Sequence, residues 1–137
     1  MRKRVVILAS GTGSITQAII DATDLDIQII AVVSDKADAK VLDRARQAKI
    51  NTSVIELKDD RAAWDKQLFD QVNQYQPDLV ISAGFMKILS ADFVNFFPTI
   101  NSHPALLPDF PGAHAVRDAL AAGVTVTGVT VHWVDAG

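Results

Sequence analysis

The stretch that decides the fold is RVVILASGTGS, residues 4–14. Arg4–Ala9 is almost wholly apolar and rich in β-branched residues, which is typical of a parallel strand that is covered on both faces. A glycine-rich turn, Ser10–Ser14, follows directly. The next residues, Ser14–Ala22, place apolar side chains at the spacing of one helical face: Ile15, Ala18, Ile19 and Ala22. A strand, a glycine turn and a helix in this order predict the first unit of an α/β sheet.

The same alternation of strand and helix runs through the rest of the chain. Further strands are predicted over Ile27–Val33, Asn51–Ile55 and Leu79–Ala83, with Thr99 and Ile100 leading into one more. Helices are predicted around Val41–Ala48, from about Asp60 to the residue before Pro77, after Ser90, and over Ala115–Ala122, and an alternating strand over Val124–Val134. The pattern predicts a single α/β domain over residues 1–137, an open, mostly parallel Rossmann-like sheet with helices on both faces.

The composition is that of a globular protein: 137 residues, 49% hydrophobic and 21% charged, with a formal net charge of −3. This acidic balance offers no basic surface for nucleic acid. The chain contains no cysteine, which excludes disulfides, thiolate metal sites and a cysteine nucleophile, and no apolar stretch reaches membrane-spanning length. We therefore expect a cytoplasmic protein with no nucleic-acid and no membrane partner. The sequence carries no signal for the oligomeric state.

The glycine-rich turn favours anion binding; its residues are Gly11, Thr12, Gly13 and Ser14. Glycine lets the backbone approach a ligand closely, and the N-terminus of the following helix offers free N–H groups and a positive dipole end. A phosphate is the expected guest, although a tight turn that binds nothing would use the same glycines. A dinucleotide site is a further alternative. Thr16 stands where its fingerprint has a third glycine, but Asp35 after the second strand could imitate its ribose-binding acid.

The segment after the fourth strand, Gly84–Ser90, is apolar where loops are usually polar. Its apolar members are Phe85, Met86, Ile88 and Leu89. In one interpretation they line a pocket for a flat organic ligand, whose polar edge is read by backbone groups. In the other they complete the core beneath the following helix. Composition alone leaves both interpretations open.

Asn101 and His103 lie two residues apart where the fifth strand runs into a proline-rich loop. An amide can donate to an oxygen that becomes negative during addition to a carbonyl, and an imidazole can move a proton near neutral pH. Alternate positions of an extended segment point the same way, so both side chains can face one reacting atom. A capped loop with a packed histidine is the alternative. We expect His114 to be a loop or helix-start residue, and His132 to face either the core or a pocket.

At these three segments the chain resembles the folate-dependent formyltransferases. The stretches ILASGTGS, VVSDKADAKVLDRARQAKI, PDLVISAGFMKILS and NSHPALLPDFPGAH follow the pattern of that family in order and spacing. The form HPALLPDFPGAH looks like the purine-pathway branch of the family. The resemblance implies that a formyl group passes from 10-formyltetrahydrofolate, the cosubstrate, to the amine of glycinamide ribonucleotide, without a metal and without a covalent enzyme intermediate.

The resemblance also implies a role for each segment. Asn101 would stabilise the tetrahedral oxyanion, and His103 would assist charge stabilisation and proton movement. The turn at Gly13 and Ser14 would hold the phosphate of the nucleotide. The pterin end of the folate would lie against Met86, Lys87, Ile88 and Leu89, and Lys87 stands where the family carries a basic residue.

The chain departs from the family pattern at two places. Ile15 follows Ser14 where the family usually has Asn, which removes a polar contact to the phosphate. The family's third catalytic group, an Asp, is expected by spacing two residues beyond Gly137, so Asp135 is not expected to fill that role. We therefore expect a domain that lacks the C-terminal part of the family domain and a chain with little or no formyltransferase activity by itself.

Two other functions remain as alternatives at this stage. A formyltetrahydrofolate hydrolase shares the Asn-x-His core and belongs to the same superfamily. A nucleotide-binding module without catalysis would use only the glycine-rich turn and Asp35.

Overall fold

The sheet and its helices are seen in a computed structural model that describes residues 2–22, 25–102 and 131–133. The strands are β1 Lys3–Leu8, β2 Ile27–Ser34, β3 Asn51–Val54, β4 Leu79–Ala83, β5 Thr99–Ser102 and β6 Val131–Trp133. The helices are α1 Ser14–Asp21, α2 Lys40–Gln47, α3 Arg61–Tyr75 and α4 Ala91–Phe96. Each predicted element within the described residues is present, with ends shifted by a residue or two. The helix predicted over Ala115–Ala122 lies outside the described residues, and the strand predicted over Val124–Val134 is described only at β6.

The strands form one sheet in the order β3-β2-β1-β4-β5-β6. The pairs from β3 to β5 are parallel, and β6 runs antiparallel to β5. The prediction of a mostly parallel sheet is confirmed. From β1 the chain moves outward to β2 and β3 on one side, and then returns to add β4 and β5 on the other. This reversal leaves a crevice beyond the carboxyl ends of β1 and β4, which is where open α/β sheets bind ligands.

Both faces of β1 are buried, because helices cover both sides of the sheet. Val5 and Ile7 pack into a cluster with residues of α1 and α2, including Ile19 and Leu42. The alternate residues of β1, which point to the other face, pack with α3 and α4. The contacts on that face come from Val6, Leu8, Trp64, Leu68, Val72 and Phe93. The prediction of helices on both faces is therefore confirmed.

The start and end of α3 follow from local chemistry. The Asp60 carboxylate accepts a hydrogen bond from the Ala63 N–H at 3.1 Å, and so caps the first turn. The helix ends where Gln76 adopts a left-handed conformation with φ 51°, directly before Pro77. At its first turn the Trp64 indole donates to the Ile55 carbonyl at 2.6 Å, which ties α3 to the end of β3.

Replacing the cap tests this account of α3. Asp60→Ala should lower the free energy of unfolding by about 1 kcal/mol, because one N–H of the first turn loses its acceptor. Urea unfolding followed by circular dichroism measures the change. Asp59→Ala removes an exposed carboxylate of the same loop and serves as the matched control. An equal change in the two variants would contradict the assignment of Asp60 as the cap.

Candidate ligand-binding site at the carboxyl ends of β1 and β4

The glycine-rich turn leads from β1 directly into the N-terminus of α1. Gly13 has φ +86° and is the cap residue of the helix, with no side chain hydrogen-bonded to the first turn. The carbonyl of Gly13 accepts from the Gln17 N–H at 2.7 Å, which closes the first helical turn. The N–H groups of the first residues of α1 have no intrahelical acceptor, and they lie at the positive end of the helix dipole. The turn can therefore receive an anion.

Helix α2 holds the glycine-rich turn from the side. The Val41 N–H donates to the Gly11 carbonyl at 3.1 Å, and the Arg44 Nε donates to the Thr12 carbonyl at 2.6 Å. The approach is so close that a Cβ on Gly13 would lie 2.6 Å from Val41 Cγ2 and 2.9 Å from Val41 Cα. Glycine is thus required at position 13 for its backbone conformation and for the packing of α2 against the turn.

The two glycines of the turn should respond differently to substitution. Gly13→Ala should lower the free energy of unfolding by about 2–4 kcal/mol, because it combines a left-handed alanine with a clash against the α2 backbone. Gly11→Ala is the control, because a Cβ there meets no atom of the described residues within 4 Å. Urea unfolding of both variants measures the difference. A loss at Gly11 as large as that at Gly13 would be inconsistent with this packing.

A hydrogen-bonded network joins the ends of three parallel strands. The Ser10 hydroxyl, after β1, donates to Asp35 Oδ1 at 2.6 Å. The Lys87 ammonium, after β4, donates to Asp35 Oδ2 at 2.8 Å. The Ser10 Oγ also accepts from the Met86 N–H at 2.9 Å. We call Ser10, Asp35 and Lys87 the rim network.

The carboxylate of Asp35 is buried but stays charged. Its side chain is 0% exposed, whereas that of Lys87 is 25% exposed. Burial raises the pKa of the Asp35 carboxyl, but hydrogen bonds from Lys87 and Ser10, the charge of Lys87 and a backbone N–H outweigh it, and the net pKa lies below the ordinary 3.8. Both carboxylate oxygens bind protein groups. The structure therefore gives Asp35 a role within the protein, and the alternative that it binds a ribose stays a prediction.

The pKa of Asp35 predicts how stability depends on pH. Asp35→Asn should lower the free energy of unfolding by about 2–3 kcal/mol at neutral pH, because Lys87 loses a charged acceptor. Since the folded pKa lies below the unfolded value, this contribution is complete above 3.8 and is lost as the pH falls through the folded pKa. Urea unfolding between about pH 7 and pH 2.5 measures the difference in the free energy of unfolding between the wild type and the variant. A difference that does not become smaller toward about pH 2.5 would contradict the lowered pKa of Asp35.

The segment Gly84–Leu89, which we call the β4 segment, divides between core and solvent. Leu89 is 5% exposed and packs in the α3–α4 core cluster, and Phe85 stacks on Trp64 with ring centroids 6.1 Å apart. Met86 and Ile88 are 74% and 83% exposed. The interpretation that the segment completes the core thus holds for Phe85 and Leu89, and a ligand pocket at Met86 and Ile88 stays a prediction. Because Leu89 faces the core, the apolar side chains that remain for a ligand are those of Met86 and Ile88.

Arg61 anchors the β4 segment from α3, a role that the sequence analysis missed. Its guanidinium donates to the Ile88 carbonyl, pairs with Asp65 at 2.9 Å and lies over the Trp64 ring at 4.8 Å from the centroid. No local pattern pointed to this contact, because Arg61 and Ile88 are 27 residues apart.

The remaining site residues lie along β5 and beyond it. The backbone of Asn101 pairs with Ser82 on β4 and with His132 on β6. Asn101 is thus near the carboxyl end of β5, on the rim that carries the β4 segment. His103 and His114 lie outside the described residues. Within the described parts of the chain, no three His, Asp or Glu side chains come together as metal ligands, and no helix is long and apolar enough to span a bilayer.

A Rossmann-like sheet with a glycine-rich turn at its switch point defines a class, the doubly wound α/β proteins. The formyl transferase family model matches residues 3–137, and the chain belongs to that family. Phosphoribosylglycinamide formyltransferase of Mycobacterium tuberculosis H37Rv is 46% identical over 140 residues, which cover 98% of this chain. The enzyme of Escherichia coli K12 is 45% identical over 137 residues, 95% of this chain. The chain spans 65% of the length of each of these relatives.

Solved structures agree with these relatives. Glycinamide ribonucleotide transformylase 1 from Symbiobacterium toebii superposes with a TM-score of 0.77 at 39% identity, covering 99% of this chain and 68% of that one. Phosphoribosylglycinamide formyltransferase from Coxiella burnetii also gives a TM-score of 0.77, at 41% identity, over 98% of this chain and 67% of that one. The fold of the chain is therefore that of the formyltransferases.

Proposed function

We propose that the protein transfers a formyl group from 10-formyltetrahydrofolate to the amine of glycinamide ribonucleotide, a step of de novo purine biosynthesis, in the cytoplasm. The observation that carries the proposal is the adjacency of two different surfaces. The glycine-rich turn, whose backbone N–H groups could receive an anion, follows β1, and an exposed apolar segment follows β4, its immediate neighbour in the sheet. A phosphorylated acceptor and a flat apolar donor would need these two surfaces side by side. Membership of the formyl transferase family and the names of the relatives agree with this assignment.

The glycine-rich turn is the proposed site for the phosphate of the nucleotide. Gly11, Thr12, Gly13 and Ser14 would present backbone N–H groups, with the Ser14 hydroxyl as a further donor. Ile15 adds no polar group at the next position, so the backbone carries most of the interaction. Phosphate bound in this way neutralises the exposed end of the α1 dipole.

The β4 segment is the proposed site for the folate. The exposed side chains of Met86 and Ile88 fit a flat aromatic ring, because they offer apolar surface that is not used in the core. The backbone between them, at Lys87, can meet the polar edge of the ring. Leu89 supports the segment from beneath, since its side chain packs in the core.

The proposed chemistry is direct attack of the acceptor amine on the formyl carbon. A C–N bond forms to the amine, and the bond between that carbon and N10 of the folate breaks. Asn101 would donate to the oxyanion of the tetrahedral intermediate, and His103 would carry the proton from the attacking nitrogen to the leaving N10. These roles require no metal.

Product analysis of the gene product at its full length tests the proposed function. Incubation with 10-formyltetrahydrofolate and glycinamide ribonucleotide should yield formylglycinamide ribonucleotide, detected by mass spectrometry. Formate released without the acceptor would identify a hydrolase instead. Saturable NAD binding, together with no response to glycinamide ribonucleotide, would identify a nucleotide-binding module.

Substitution of the two proposed catalytic residues separates chemistry from binding. Asn101→Ala and His103→Ala should each lower kcat at least about 100-fold, because each removes a group that acts in the transition state. The affinity for glycinamide ribonucleotide, measured by calorimetry, should change less than about threefold. Parallel losses of binding and turnover would mean that the two residues are structural.

A further inference from the structure

Asp35 is a buried charge that the proposed chemistry does not use. Removing a carboxylate and an ammonium from water is costly, so such a pair adds little net stability, even though removing one partner is destabilising. Its partners suggest another role, because Ser10 leads from β1 into the glycine-rich turn and Lys87 lies in the β4 segment. The rim network thus links the two segments that would hold the two proposed ligands.

We propose that Asp35 is a positioning residue that couples the nucleotide subsite to the folate subsite, so that binding at one strengthens binding at the other. The names of the two ligands rest on the proposed function. The coupling itself rests only on the rim network, and it holds for any anion in the glycine-rich turn.

The link between the subsites is a short chain of hydrogen bonds. Ser10 immediately precedes the glycine-rich turn, and its Oγ accepts from the Met86 N–H in the β4 segment at 2.9 Å. The hydroxyl has one proton, which points to Asp35 at 2.6 Å, and this leaves its lone pairs for Met86. Asp35 therefore sets the orientation of the group that joins the two segments.

The ion pair between Asp35 and Lys87 fixes the β4 segment at a second point, next to the contact between Ser10 and Met86. Lys87 lies between Met86 and Ile88, the two exposed residues, and its ammonium is held by Asp35 at 2.8 Å. The Ile88 carbonyl is held separately by Arg61. The segment is thus attached at both ends, but within the described residues only the attachment through Ser10 and Asp35 leads to the glycine-rich turn.

A displacement at the turn should therefore reach the β4 segment. An anion that draws the N–H groups of Gly13 and Ser14 toward itself pulls on the residues directly after Ser10. The hydroxyl passes this shift to Met86 because Asp35 holds its proton in place. In Asp35→Asn the single amide oxygen turns to the Lys87 ammonium, which can only donate, and the NH2 group then faces Ser10. The Ser10 hydroxyl thus loses its acceptor, so it can rotate and the two segments adjust independently.

The first test needs neither proposed ligand. Inorganic phosphate is titrated into the ¹⁵N-labelled full-length gene product, and the amide signals of Gly13, Ser14 and Met86 are followed. In the wild type all three should shift with one binding curve. In Asp35→Asn the turn signals should still shift, while the shift of Met86 falls at least about fivefold. Asp38→Asn, an exposed residue of the same loop, should behave as the wild type.

Ser10→Ala provides a second variant that leaves both members of the ion pair in place. It removes the hydroxyl that joins the segments, and it should lower the phosphate response of Met86 at least about fivefold, as Asp35→Asn does. If Met86 does not respond to phosphate in the wild type, or if its response in Asp35→Asn and Ser10→Ala is as large as in the wild type, the coupling role is wrong. This outcome does not depend on the formyl transfer reaction.

The second test measures the coupling with the proposed ligands. Calorimetry gives the affinity for glycinamide ribonucleotide with and without saturating 5,8-dideazafolate, a folate analogue. The wild type and Asp38→Asn should show at least about fivefold tighter nucleotide binding with the analogue present. In Asp35→Asn and Ser10→Ala the affinity for the nucleotide should differ by less than about twofold between the experiments with and without the analogue. A factor that these two substitutions leave unchanged overturns the proposal, whereas failure of the wild type to bind either ligand, with the phosphate response intact, counts against the proposed function alone.

Discussion

The pairing of β1 with β4 at the centre of the sheet is the contact on which the rest of the site depends. Leu8 lies level with Ser82, so the glycine-rich turn and the β4 segment leave the sheet side by side. This central position requires β1 to be apolar on both faces, because helices cover both. A polar residue on either face of β1 would stand in a closed core, and the two surfaces of the site would lose their common support.

The rim network continues this constraint beyond the ends of the strands. The carboxyl ends of parallel strands leave unpaired backbone groups, and loops there have few neighbours to define them. Asp35 supplies two directed contacts in one place, at the cost of burying a charge. Arg61 of α3 binds the β4 segment, and Arg44 of α2 binds the glycine-rich turn. The site is thus held by side chains from elements that are distant in sequence.

The sequence predicted the elements well and the division of the β4 segment poorly. The caps at Asp60 and Ser90 and the breaker at Pro77 are local signals, and they marked the ends of helices correctly. The burial of Leu89 beside the exposed Met86 and Ile88 depends on where α3 and α4 pack, which no window of sequence contains. Nothing in the sequence indicated that Lys87 pairs with Asp35, because the two residues are 52 positions apart.

The sequence by itself determined the class of fold, the order of strands and helices along the chain, and the residue types of the glycine-rich turn. These follow from hydrophobic period and turn chemistry, which act over a few residues. Only the tertiary structure decided that β4 lies beside β1, that Gly13 faces α2, and that Asp35 joins Ser10 to Lys87. Those contacts form across long stretches of chain, and they exist only once the sheet has brought its strand ends together.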